Sequence, residues 1–332
     1  FACWGSPTIR RGCLEDPFEV LLDQRSSRAS WEVTGLTLTE RIARVDRRQV
    51  RRRIIDRLRE RIEQAGGAWL NTSPYPFPYR SAIGFRIDHD RYHDEDLRNA
   101  LAAVDGHVGA VSHYVNGAAY EQQLQVLRQL DGYDVGSHGY LHRVYRSEAE
   151  NYENLARGMD VLRRAGLTPS GVAAPGGQYT RGLAAALERL GVGHSSEIHL
   201  SYDDWPFWPA GSSVLQIPIH PVSLGLFLAN VRGEGVRRAA AAQQAVRAAV
   251  DYFRQTARAK YHAGEPVFFH GSMSQRLGHY PQVLRAIFDT ADSFAAVWPT
   301  TLANYAAWWR ARASVQLRVE SQGEQLIVHA EG

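Results

Sequence analysis

Residues 84–93 read GFRIDHDRYH. Together with Ile83, the apolar residues Phe85 and Ile87 alternate as a buried strand requires. Asp88 and Asp90 then follow where that strand should end. Residues two apart on an extended chain share a face, so these carboxylates converge while His89 turns away. Paired acids at an apolar strand tip repel each other and lose water, and a divalent cation offsets both effects. The plainer alternative is a solvated turn after the strand.

Working outward, short apolar runs alternate with helical patterns from residue 81 onward. Strands are expected at 83–88, 107–112, 133–137, 170–174, 192–197, 213–218, 266–270 and 294–297. Helices are expected at 94–104, 118–130, 148–165, 180–190, 235–262, 280–290 and 300–312. Strands and helices in alternation give parallel strands with crossover helices, and this many units fit a barrel better than an open sheet. The expected fold is α/β, a distorted, seven-stranded (β/α) barrel over residues 81–313. An extension over 1–80 precedes it, and a β-hairpin over 314–332 follows it.

Within the extension, residues 1–37 read as irregular. From Thr39 the residues Ile42, Val45, Ile54, Ile55, Leu58 and Ile62 follow helical spacing, ended by Gly66–Gly67. Ten arginines fall between positions 41 and 61. They read as a solvated helix face, with an anionic docking site as the sharper alternative.

Composition excludes several classes. The chain has 332 residues, 44% of them hydrophobic, enough for one large core or two smaller ones. No run reaches the roughly 18 apolar residues of a membrane span. Net charge is only +3 and Lys260 is the sole lysine, so nucleic acid is not an expected partner. Cys3 and Cys13 are too few to define a redox compartment. No signal peptide is visible in FACWGSPTIRRG, and the expected location is the cytoplasm or the periphery of the cytoplasmic membrane.

Four further stretches carry candidate chemistry. DVGSHGYLH, 134–142, ends a strand in His138 and His142, a spacing that lets two imidazoles hold one metal. His89 and His93 share that spacing, but His89 should face away from the acids. GVAAPGGQY, 171–179, meets Pro-Gly-Gly after a strand, where backbone N–H groups can face an oxyanion. YDDWPFW, 202–208, sets Asp203 and Asp204 among aromatics that suit a sugar ring or, more commonly, a core. PVFFHGS, 266–272, ends a buried strand in His270, a side chain suited to general acid work; His220 in IPIHP has the same standing.

In this order, over about residues 81–300, the motifs resemble the polysaccharide deacetylase family, carbohydrate esterase family 4. RIDHD, AAPGG and QIPIHP look closest to its branch of lipid-linked formamidoarabinose deformylases. The resemblance implies one divalent ion on Asp90, His138 and His142. Zinc is favoured, with cobalt, nickel or manganese as alternatives. It further implies Asp88 as general base, His270 as general acid, and an oxyanion site at Pro175 and Gly176. Asp204, Trp208 and His220 would line the substrate, an amino-sugar glycan or glycolipid losing an N-acyl group. The family's third motif usually carries an arginine two residues before the proline, where this chain has Ala173; Arg86 is the candidate substitute for orienting the base. An inactive carbohydrate-binding relative and a hydrolase of non-sugar amides are the rival readings.

Overall fold

The computed structural model describes residues 27–33, 36–42, 47–197, 205–209, 211–229, 231–323 and 325–331. Cys3, Cys13, Asp203 and Asp204 lie outside the described residues.

The first elements differ from expectation. β1 (Ser27–Val33) and β2 (Leu36–Ile42) form an antiparallel pair with Trp31 opposite Leu38, and α1 (Arg47–Gln64) starts only afterwards. Leu36, Leu38 and Ile42 follow a period of two along the sequence, and the threonines between them favour extended backbone. Ile42 also fits a helical count, which is how the helix was expected too early. α1 ends just before Gly66, whose φ is +80°. Residues 52–64 of α1 are exposed on every side, although Arg52 reaches Glu265 at 3.5 Å.

The barrel follows as β3 (Ser81–His89), α2 (Asp94–Ala103), β4 (Val111–Val115), the short α3 (Gly117–Tyr120) and α4 (Leu124–Leu127), and β5 (Asp134–Ser137). Next come α5 (Glu148–Arg164), α6 (Arg181–Arg189), β6 (His194–Ser195), β7 (Leu215–Gln216), α7 (Leu224–Leu228), α8 (Gly235–Ala263) and β8 (Val267–Ser272). Last are α9 (Gln282–Asp292), β9 (Val297–Pro299), α10 (Leu302–Ser314) and the antiparallel hairpin β10 (Gln316–Gln322) and β11 (Gln325–Glu331).

Parallel pairing runs β5–β4–β3–β8. Val172 bridges Ser137 to Ser195, β6 pairs with β7, and the His220 N–H bonds Phe268 O at 2.8 Å to close the ring. That makes seven strand positions, with β9 added against the first residues of β3. Two expected strands are displaced. Residues 108–110 wind into a 3-10 turn before β4, and β9 begins at Val297 after Ala296 takes a φ of 57°. Among the described residues no helix is long and apolar enough to cross a membrane.

Alternation along the strands sorts two cores. Ile83, Phe85 and Ile87 point outward into the layer under α2, α8 and α9, with Val111, Val115, Val267 and Phe269 beside them. Each such fully buried side chain stabilises the fold by about 1.5–3 kcal/mol. Ala82, Tyr114, Ala173, Ile217 and Phe268 join an inner cluster completed by Tyr305 and Trp309 of α10. Gly84 sits on the inward face where there is no room for a side chain. A Cβ there would overlap the Thr300 carbonyl oxygen and lie 2.7 Å from the Phe268 ring. Gly84→Ala should therefore destabilise the protein by about 1–3 kcal/mol in urea unfolding. Gly109→Ala, which meets open space, should stay within about 0.5 kcal/mol of the parent.

Candidate metal centre

The inward face of β3 carries Arg86 and Asp88, and Asp90 follows directly past the strand. His89 points outward, as its place in the strand dictates. Its Nε2 lies 2.8 Å from His113 Nδ1 and its Nδ1 3.1 Å from Tyr120 Oη. Burial pushes the His89 imidazole down to about 3, so it packs there uncharged. His93 caps α2 by accepting from Asp96 N–H. The His89–His93 pair is thus structural.

At the end of β5 the His138 N–H bonds Val115 O at 2.8 Å, continuing the ladder. Gly136, two residues earlier, would drive a Cβ into the Tyr114 ring, which fixes this as the inward face. Gly139 then takes a φ of 78°, a left-handed turn that brings the chain back to His142. Asn154 of α5 clamps that turn, accepting from Leu141 N–H at 2.7 Å and donating to Leu141 O and Arg143 O. The sequence reading missed Asn154, although an asparagine among the apolar positions of a helix was a usable signal.

Three donor atoms meet here. Asp90 Oδ1 lies 3.3 Å from His138 Nε2 and 3.2 Å from His142 Nε2, and one ligand atom from each residue falls within 4.8 Å of the others. Ser272 Oγ donates to Asp90 Oδ2 at 2.7 Å. His138 Nδ1–H donates to Ala173 O at 2.5 Å, which leaves Nε2 as the ring nitrogen that faces Asp90. Burial alone would raise the Asp90 carboxyl, but His138, His142 and Ser272 around it outweigh that and hold it well below the usual carboxylate range. The contact with Asp90 raises the His142 imidazole against the effect of burial.

This donor set fits a divalent ion. Asp90 Oδ1 is buried and accepts no hydrogen bond among the described residues. Two imidazole nitrogens face it, one with its tautomer already fixed. Lone pairs so arranged repel unless protons or a cation stand between them. Two imidazoles and one carboxylate, with a backbone carbonyl behind one ring, are donors that zinc accepts while keeping positions open.

Beside them lies a buried ion pair. Arg86 Nη2 donates to Asp88 Oδ2 at 2.8 Å, with side-chain exposures of 2% and 9%. Asp88 Oδ1 is buried without a hydrogen-bond partner among the described residues. Arg86 also donates to the Ser196 carbonyl. Across the sheet, His270 is in register with Arg86 and Ser272 with Asp88, so His270 shares the inward face. Its Nδ1–H donates to His220 O at 3.0 Å. Pro175–Gly177 forms a 3-10 turn in which Gly176 and Gly177 both have positive φ. Only the Gln178 side chain, at 3.9 Å, comes near the space a Cβ on Gly176 would occupy.

His220 and Trp208, expected to line the substrate, make the following contacts. The His220 imidazole turns to α8, with Nε2 2.8 Å from Tyr252 Oη, so its backbone rather than its ring meets the site. Trp208 is half-buried against the inner cluster. Trp205 packs with tilted rings against Tyr75 and Trp309 at centroid distances of 6.0 and 5.8 Å. Trp205 thus packs in the core around α10. Ser272 and Glu197, both touching the site's framework, were also missed by the sequence reading.

No family model matches the chain, and no curated protein matches it. Solved structures do. A Mycobacterium smegmatis protein assigned to the polysaccharide deacetylases superposes with a TM-score of 0.58 at 18% identity, over 77% of this chain and 99% of its own. One from Pseudomonas aeruginosa PAO1, similarly assigned, gives 0.58 at 16% identity, over 74% and 96%. The Puue allantoinase gives 0.57 at 17% identity, over 73% and 94%. The chain therefore has the distorted (β/α) barrel fold that these three structures share.

Proposed function

We propose that this protein is a metal-dependent hydrolase that removes an N-acyl group, acetyl or formyl, from an amino sugar in a polysaccharide or glycolipid. The observation that carries the reading is the meeting of Asp90 Oδ1, His138 Nε2 and His142 Nε2 beside an Arg86-bound Asp88. The order of motifs along the chain and the shared fold support it further.

In this reading Asp90, His138 and His142 hold one divalent ion, zinc by donor type. When bound it supplies a Lewis acid and lowers the pKa of water from 15.7 to about 7. Asp88 Oδ1 accepts the proton of the attacking water, while Arg86 fixes the other carboxylate oxygen. The Gly176 N–H faces the oxygen that becomes negative as the carbonyl carbon turns tetrahedral. His270 then gives a proton to the departing nitrogen, because an amide anion leaves poorly, and the C–N bond breaks to give amine and carboxylate. Arg86 takes the orienting place that the arginine missing at residue 173 would fill.

Purified protein supplied with zinc should hydrolyse a chromogenic acetyl ester and N-acetylated chitooligosaccharides. Release of acetate or formate from matched amides sorts the two acyl groups. Absence of turnover on all of them would favour a binding protein instead. Asp88→Asn should lower turnover by about 10²–10⁴-fold while zinc content stays near that of the parent. Turnover retained in that variant removes Asp88 as base. His138→Ala should weaken zinc binding by more than about 100-fold, beyond the range of outer-shell changes. Undiminished occupancy takes His138 out of the ligand set.

A further inference from the structure

Just past β6 lies Glu197, 0% exposed and part of none of the motifs. A carboxyl removed from water is costly unless hydrogen bonds or charge compensate for it. Burial pushes Glu197 up to about 7, while Ser195, the Arg86 charge and the Ala174 N–H act against that rise. Its Oε1 accepts from Ser195 Oγ and, at 3.2 Å, from Ala174 N–H.

The Ala174 N–H belongs to the same peptide unit as the Ala173 carbonyl, and that carbonyl accepts the His138 Nδ1–H. A continuous path therefore runs from Glu197 Oε1 to the Ala174 N–H, across one planar amide to Ala173 O, and on to the imidazole. The peptide is conjugated, so an acceptor at its N–H end draws electron density toward its oxygen, the more so the more negative that acceptor is. Hydrogen bonds joined in this way strengthen one another. A stronger acceptor at Nδ1–H fixes the ring and makes Nε2 a better donor. Arg86, which holds Asp88, bonds the Ser196 carbonyl one residue away, so the end of β6 is tied to both halves of the centre.

We infer that Glu197 is a positioning residue for the metal centre, holding His138 in its Nδ1–H tautomer and strengthening Nε2 through the Ala173–Ala174 peptide. This rests on the metal-binding part of the proposed function.

The test uses the full chain, with zinc affinity measured by chelator competition and the His138 Nδ1–H signal followed by ¹⁵N NMR in the metal-free protein. Glu197→Gln keeps an acceptor oxygen but removes the charge. It should weaken zinc about threefold and move the Nδ1–H signal upfield. Glu197→Ala should weaken zinc about tenfold, at the low end for outer-shell changes. If the alanine variant fails to fold, the glutamine variant decides alone. Folded variants with parental zinc affinity and an unmoved signal overturn the inference, even where stability drops. If the parent itself binds no zinc, the proposed function fails. The Nδ1–H signal then decides: an upfield shift in Glu197→Gln supports the peptide link and an unmoved signal refutes it.

Discussion

One buried oxygen governs this site. Asp90 Oδ1 faces two imidazole nitrogens at 3.2–3.3 Å and takes no hydrogen bond among the described residues. Because His138 commits Nδ1–H to a backbone carbonyl, Nε2 is the nitrogen it presents to that oxygen. Three electron-rich atoms at the mouth of a barrel need positive charge among them. One cation answers all three at once.

The barrel's alternation makes this arrangement affordable in structural terms. Ile83, Phe85 and Ile87 make the middle of the outward face of β3 apolar, and their packing anchors the strand independently of what faces inward. The inward face can then carry Gly84 for closeness, Arg86 for charge and Asp88 for chemistry. Breaking a buried pair such as Arg86–Asp88 by removing one partner typically costs about 3–5 kcal/mol. The pair is therefore held by a scaffold whose stability comes from elsewhere. Neighbouring strands complete the pattern in register, with His270 opposite Arg86 and Ser272 opposite Asp88.

Legibility in the sequence followed the range of the interactions. Ile83, Phe85, Ile87 and the two aspartates gave the first strand and its two faces because alternation is local. His138 and His142 could be grouped with Asp90 because each follows a strand at the same end of the barrel. Short-range ambiguity misplaced the start of α1, since Ile42 satisfies both periods. Ser272, Asn154 and Glu197 escaped notice because each acts through a few side-chain hydrogen bonds, which leave no periodic trace. Trp205 shows a different ambiguity. An aromatic cluster reads the same whether it meets a sugar or a core, and here the partners are Tyr75 and Trp309.

The most direct measurement is anomalous diffraction at the zinc edge from crystals grown with zinc. The account predicts one strong peak per chain, at about 2.0–2.2 Å from a carboxylate oxygen of Asp90 and from Nε2 of both His138 and His142. A well-ordered barrel with those three side chains in place and no peak between them would contradict it.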